Sequence, residues 1–258
     1  MPWNPDVYNQ FKNIRYQPFF DLMAMIAGEG LKNAVDIGCG TGEQTSILSE
    51  KFSETNFTGI DPSPEMLEKS RGYEHAKLHF KQKAVEDFIA EEPNQKWDLI
   101  LSNAALQWSD NHSELFPKLI SLLSNNGQLA VQMPVQNENL LNKLLVELVQ
   151  EKPFVDYLKG WKRETPMLTI DAYAALMFDH GLKNIEIVQK VYPIIADTPD
   201  QLFDFIAGSA LIPYIERLTQ DEQKIFVAAY KNSIKKAYKK FPAIYAFKRL
   251  LLYGNKKC

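Results

Sequence analysis

From Asn33 to Pro134 the chain alternates between two kinds of segment. Short apolar runs, "NAVDIG", "NFTGID", "KLHFKQ", "WDLILSN" and "QLAVQMP", read as buried strands. Between them lie "EQTSILSEKF", "SPEMLEKSRG", a short stretch from Val85 to Glu92 and "NHSELFPKLISLLSNNG", which carry the three-to-four-residue spacing of helices. Ser63 is placed to cap the second of these, with Pro64 at its first position and Gly72 just past its end. Strands alternating with helices at this spacing predict a parallel sheet with helices on both faces. Right-handed crossovers make that a doubly wound α/β fold.

The flanks are more helical. In residues 1–30, Val7, Tyr8, Phe11, Ile14 and Arg15 fall at helical spacing. Pro18 is expected to interrupt that helix, and a second runs through Phe19, Leu22, Met23 and Ile26 to a stop at Gly28 or Gly30. Residues 138–181 turn helical, and "NIEIVQKVYPI" reads as a sixth strand. Residues 199–240 read as two helices, the second opened by a Thr219–Glu222 capping box. "IYAFKRLLLY" reads as a closing strand. The organisation expected is a single domain over 1–258. It comprises a helical lid (1–30), a core (33–133), helical cap elements (138–181 and 199–240) and late strands (184–195 and 243–253).

Composition narrows the function classes. The 258 residues are 45% hydrophobic and 24% charged, which suits a globular protein with a sizeable core, and a net charge of -3 argues against nucleic acid as partner. The lysines of "YKNSIKKAYKKF" are spaced as a solvated helix face. Cys39 and Cys258 are the only cysteines, so neither a disulfide framework nor a metal site is expected. No run approaches the roughly 18 apolar residues of a membrane helix. No signal peptide is visible, and a cytoplasmic location is expected.

The candidate chemistry sits in "VDIGCGTGEQT", residues 35–45. Asp36 precedes Gly38, Gly40 and Gly42, and each glycine costs backbone entropy on folding. The turn follows the first strand, where open α/β sheets bind ligands. Dinucleotide sites use G-x-G-x-x-G, but Glu43 stands where the last glycine belongs and would face a pyrophosphate with negative charge. S-adenosylmethionine carries no phosphate. Asp36 can attract its ammonium, and Asp61, ending "GID" 25 residues later, can accept from both ribose hydroxyls.

On "D-x-G-x-G-x-G … G-I-D" the chain resembles the class I S-adenosylmethionine-dependent methyltransferases over about residues 33–133. The resemblance implies a Rossmann-like, seven-stranded, mostly parallel sheet with an antiparallel last strand. It also implies S-adenosylmethionine as cofactor, with Asp36, Gly38, Gly40, Gly42, Gln44, Asp61 and Pro62 around it. Met66 would pack near the adenine, Val85 would offer it a backbone N–H, and Asn103 and Ala104 would face the methyl donor. Ala84 occupies the position where an acid usually meets the adenine amino group, leaving Glu86 as a substitute.

A narrower resemblance rests on "WNPDVYNQFKNIRYQP", "LSNAALQWSDNHSELFPKLISLL" and "GQLAVQMP", which are similar to the trans-aconitate methyltransferase family. It implies esterification of a small organic acid, with Tyr8, Arg15, Gln107 and Trp108 as substrate-positioning candidates. Arg15 can grip a carboxylate or lie over Phe19; Trp108 can wall the pocket or plug the core. His112 reads as an early-helix surface residue, and Arg249 as a family arginine or a structural partner. For Trp3 and Trp161, core packing is preferred to a place in the lid. Ile212, Gln189 and Ile194 stand where the family carries Arg, Arg and His, pointing to a less charged acid than trans-aconitate. Alternatives are another small metabolite or a carrier-bound acyl chain as acceptor, or a non-catalytic S-adenosylmethionine binder. The expected partner is thus a small-molecule acid, with neither nucleic acid nor membrane, and a monomer is the simplest state.

Overall fold

The computed structural model describes residues 12–91 and 95–257, with side chains from residue 16 onward. Seven strands form one sheet in the order β3-β2-β1-β4-β5-β7-β6. They are β1 (Asn33–Ile37), β2 (Asn56–Asp61), β3 (Leu78–Gln82), β4 (Trp97–Asn103), β5 (Leu123–Pro134), β6 (Leu182–Ala196) and β7 (Ala243–Lys256). The first five pair in parallel, and β7 runs antiparallel to β5. The order reverses between β1 and β4, which puts the glycine turn at the switch point of a doubly wound sheet, as the alternation predicts.

The chain divides into two compact units. The sheet unit comprises Pro18–Pro134, Pro166–Lys190 and the chain from Arg249 on. Helices α1 (Lys12–Met25) and α2 (Glu43–Lys51) cover one face of its sheet, where Phe19, Leu22, Ile26 and Leu48 pack on Ala34, Leu99, Leu101, Ala130 and Leu251. The connections α3 (Pro64–Ser70), α4 (Val85–Glu91), α5 (His112–Ser121) and α8 (Ile170–Asp179) complete it.

The helical unit contains Val135–Thr165 and Val191–Lys248. Its helices are α6 (Leu140–Leu148), α7 (Phe154–Tyr157), α9 (Pro199–Ala207), α10 (Ile212–Ile215) and α11 (Gln220–Ala237). They bury a cluster that includes Leu141, Phe154, Ile194, Phe203, Tyr214, Phe226, Tyr230 and Tyr245. The Tyr230 hydroxyl donates to the Leu141 carbonyl (2.8 Å), and Asn139 exchanges two hydrogen bonds with the Lys248 backbone. The expected Thr219–Glu222 capping box opens α11, and Lys235 and Lys236 lie on its exposed face as expected.

Three expectations need correction. Pro18 does not break the first helix, since α1 runs unbroken from Lys12 to Met25. An interior proline costs about 3 kcal/mol, whereas each large apolar side chain buried returns about 1.5–3 kcal/mol, and Phe19 and Leu22 are both fully buried. "LSNNG" belongs to β5, not to the preceding helix. Leu123 pairs with Trp97, the register then shifts so that Leu99 meets Gln128, and Gly127 packs against the Trp97 carbonyl, where a Cβ would sit 2.7 Å away. Residues 199–240 hold three helices, because Gly208–Ala210 separates a short turn of helix at Ile212.

Candidate functional site

The glycine turn is built from its neighbours inward. Asp61, at the end of β2, accepts the Gly40 N–H on Oδ2 and the Ser63 N–H on Oδ1, both at 2.9 Å. The backbones of Gly38 and Cys39 donate to the Ile60 carbonyl. All three glycines have positive φ, but for different reasons. A Cβ on Gly38 would lie 2.1 Å from the Ala105 Cβ, and one on Gly42 would lie 2.6 Å from the Phe80 ring and 2.7 Å from the Ser70 Cβ. At two of the three positions, protein packing by itself therefore requires glycine. At Gly40 an added Cβ would meet nothing within 4 Å, so this backbone borders open space.

Asp36 is buried, and one of its oxygens, Oδ2, accepts the Thr45 hydroxyl at 2.6 Å. Burial raises its pKa to about 7, the Thr45 bond opposes the shift, and the Asp61 charge adds to it. A cation beside it would restore the ordinary carboxylate. Cys39 is also buried, and burial with the two acids pushes its thiol far up, which makes it unreactive.

The β4 end completes this side. Ser102 fixes it to β1 by donating to the Ile37 carbonyl (2.9 Å). Asn103 Nδ2 donates to Gln44 Oε1 (2.8 Å), while Asn103 Oδ1 is buried with no hydrogen-bond partner among the described residues. Ala104 takes a left-handed conformation (φ 56°) and its N–H bonds the Gln132 carbonyl. That backbone state costs roughly 1–3 kcal/mol for a residue with a Cβ.

Strand register carries the row further. Asp36 pairs with Leu101, Asn103 with Gln132, Gln132 with Leu251, and Pro134 with Arg249. Paired residues, and residues two apart, share a face of a sheet. Asp36, Asn103, Gln132 and Arg249 therefore stand on one face, at the carboxyl ends of the parallel strands. Arg249 is buried, and its Nη1 donates to Gln132 Oε1 (3.1 Å). The Gln132 side chain is 0% exposed, and its Nε2 has no partner among the described residues.

Other residues singled out in the sequence have mixed fates. Gln107 is buried and donates to the Ala104 carbonyl (2.6 Å), holding the turn after β4. Trp108 is 40% exposed, so it does not plug the core. His112 is not a surface residue: it is fully buried between the Tyr173 hydroxyl on Nδ1 (2.5 Å) and the Leu106 carbonyl on Nε2 (2.8 Å). The carbonyl can only accept, so Nε2 carries the proton; burial lowers the pKa and keeps the ring neutral. Met66 is exposed, with its N–H capped by Ser63, and the Pro62 carbonyl accepts from Gln82. Val85 is buried at the start of α4. Glu86 lies on the exposed side of that helix, lining a cavity of about 360 Å³ with Ile89, Asp110, Asn111 and Glu114, apart from the glycine turn. Tyr8 and Trp3 lie outside the described residues, as does the Arg15 side chain.

Sequence reasoning missed Thr45, Ser102, Gln132 and Tyr173. Thr45 had a local signal, a hydroxyl in the first turn of α2 within reach of the strand that precedes the turn. The others needed the register.

The Methyltransferase domain family matches residues 29–172, more than half of the chain. The chain belongs to the S-adenosylmethionine-dependent methyltransferases. Over nearly its full length it is similar to trans-aconitate 2-methyltransferases. It is 34% identical to that of Deinococcus radiodurans, covering 99% of each chain. It is 31% identical to that of Escherichia coli strain SE11, covering 98% of each. Haemonchus contortus phosphoethanolamine N-methyltransferase 2, solved with S-adenosyl-L-methionine, shares the fold at a TM-score of 0.55 and 15% identity, with 93% of this chain and 52% of that one covered.

Proposed function

We propose that the protein transfers a methyl group to a carboxylate oxygen of a small organic acid, trans-aconitate or a less charged relative. The observation that carries this is the polar row from Asp36 to Arg249, which pairs an anionic end with a cationic end on one face of the sheet. The full-length likeness to trans-aconitate 2-methyltransferases supports the acid as acceptor.

The residues fit the donor. Gly40 leaves room for close backbone approach, and Asp36 and the unpartnered Asn103 Oδ1 offer acceptors for an amino group. Asp61 already holds the turn through both oxygens, and each keeps a second lone pair for a ribose hydroxyl. Pro62, Met66 and Val85 would flank the base, and Ala104 and Gln107 would shape the wall near the reacting atoms. When bound, S-adenosylmethionine supplies an electrophilic methyl: a C–O bond forms as the C–S bond breaks, and the electron pair stays on sulfur.

The acceptor needs no general base. A carboxylic acid with a pKa of about 4 is ionised at neutral pH, and no proton moves in the step. The chain's work is therefore alignment and exclusion of water. Tyr8, Arg15 and Trp108 remain candidates for positioning the acid.

Of the three substitutions that argue for a less charged acid, Ile194 gives the weakest support, because it is fully buried in the helical unit's apolar cluster. Ile212, which is exposed, and Gln189, also exposed, keep the argument alive. The test is methyl transfer to trans-aconitate against mono- and dicarboxylates, with the ester identified by mass spectrometry. Efficient turnover of trans-aconitate would refute the shift to lower charge, and absence of any ester would refute the acceptor class.

A further inference from the structure

We propose that His112 is a positioning residue for methyl transfer, fixing the turn Leu106–Trp108 beside the donor so that the acceptor meets the methyl group in line. This deepens the acceptor reading above and rests on it.

The segment after β4 lies against the glycine turn. Ala105 packs so closely on Gly38 that a Cβ added there would come within 2.1 Å of the Ala105 Cβ. Ala104 precedes it in the left-handed region, and a single 3-10 turn follows, carrying buried Gln107 and exposed Trp108. A strained backbone persists only where its surroundings over-determine it. The Gln132 carbonyl accepts from the Ala104 N–H, and Gln107 Nε2 donates to the Ala104 carbonyl; both bonds hold the start of the segment. His112 Nε2, donating to the Leu106 carbonyl at 2.8 Å, ties down the part that carries Trp108.

The imidazole is itself held in the tautomer this task needs. A carbonyl only accepts, so Nε2 carries the ring's proton and Nδ1 is left to accept from the Tyr173 hydroxyl at 2.5 Å. Burial keeps that phenol protonated, and its oxygen accepts the Leu168 N–H at 3.3 Å. The Phe116 ring, fully buried, lies 5.3 Å from the imidazole and 5.1 Å from the Tyr173 ring between centroids, which restricts both. The hydrogen bonds of His112 thus run to Leu106 and Tyr173, not to the glycine turn or its aspartates. All these residues belong to the sheet unit. An in-line displacement tolerates little misplacement, since an error of about 1 Å costs on the order of 100-fold in rate. A ring that moves no proton in the reaction can therefore govern it through the turn.

Three variants test this. His112→Leu removes both hydrogen bonds, whereas His112→Gln keeps an N–H donor for the Leu106 carbonyl. At saturating S-adenosylmethionine, with the acid turned over fastest, kcat should fall about 10- to 100-fold in His112→Leu and largely recover in His112→Gln. Affinity for S-adenosylhomocysteine should be unchanged in both. Tyr173→Phe preserves the ring packing but removes the donor that fixes the tautomer. It should lower kcat by a smaller factor, and it covers the case in which the leucine variant does not fold.

The proposal is overturned, while the acceptor reading stands, by any of three results with an esterified acid. These are an unchanged kcat in folded His112→Leu or in Tyr173→Phe, no rescue by glutamine, or a loss of S-adenosylhomocysteine affinity in step with kcat. If no acid is esterified, hydrogen exchange at the Trp108 and Ser109 amides, which bond the Ala105 and Leu106 carbonyls, separates the two ideas by nuclear magnetic resonance. Faster exchange in His112→Leu than in His112→Gln and the unmodified protein keeps the hold on the turn and removes the acceptor reading. Equal exchange in all three removes both.

Discussion

Asp36, Thr45, Asp61, Ser102, Gln107, His112, Gln132 and Arg249 are buried polar side chains of the sheet unit. In the helical unit Asn139 is the only buried polar side chain, tyrosines aside, among the described residues. The sheet unit thus accepts the cost of burying dipoles and charges, and Asp36, Asp61, Ser102 and Gln132 stand at or near the carboxyl ends of its strands. The helical unit buries leucine, isoleucine and aromatic rings, and its Tyr214, Phe226 and Phe154 rings pack within about van der Waals reach of one another. A buried polar group is tolerated only with partners, and Asn103 Oδ1 and Gln132 Nε2, near the carboxyl ends of β4 and β5, have none among the described residues, and neither has Trp97 Nε1 at the other end of β4.

Substitutions can break that contrast. Ile194→Asp would put an unpaired charge into the fully buried cluster and should destabilise the protein by about 5 kcal/mol, read by denaturant unfolding. A tolerated aspartate would show that the cluster opens to water.

Asp36→Asn should act in opposite directions on stability and on binding. The fold holds the Asp36 proton up to about pH 7, whereas an ordinary aspartate loses it near pH 3.8. Between those pH values the folded protein binds a proton the unfolded chain has lost, so stability falls as pH rises through the window and is flat above it. At pH 8 the asparagine variant should be more stable, by at most about 4 kcal/mol. Cofactor binding should weaken, and the affinity of the unmodified protein for S-adenosylhomocysteine should drop about tenfold from pH 8 to pH 6, a slope the variant lacks. Calorimetry at several pH values checks both, and an equal slope in the two proteins would remove Asp36 from the amino-group site.

The glycines sharpen the comparison within the turn itself. Gly42→Ala should cost about 2–3 kcal/mol of stability, because φ is 76° and the Phe80 ring is in the way. Gly40→Ala should cost only about 1–2 kcal/mol, the price of its left-handed backbone, yet lower S-adenosylhomocysteine affinity by more than about tenfold. Equal losses of binding per unit of stability would show that Gly40 has no special access to the ligand. The smallest effect expected is at the far side of the helical unit, where Thr219→Ala should remove the α11 cap and lower stability by about 1 kcal/mol without touching turnover.

Much of the sheet unit was legible because its signals are local. Five parallel strands fall where short apolar runs sit between glycines and caps, and Asp61 was placed by ending one of them. The helical unit was less legible. Ile194 stands out only when matched to a motif, whereas strand alternation in β6 turns it, with Ala196, into the apolar cluster. His112 was misplaced, and Trp108 left open, for a related reason: an aromatic ring or an imidazole near a strand end carries no local mark of whether it is enclosed.

The sequence by itself determined the alternation of strands and helices, the site of the tight turn and the two aspartates that flank it. Those follow from apolar periodicity and from the few residues able to take positive φ, both properties of neighbours in the chain. Only the tertiary structure decided that Gly38 and Gly42 answer to Ala105, Phe80 and Ser70 while Gly40 borders open space. It alone brought Gln132 beside Arg249 across 117 positions of sequence, with one amide hydrogen-bond donor left over. Register between strands joins residues that no local pattern relates, and the polar row at the sheet's edge exists only once that register is set.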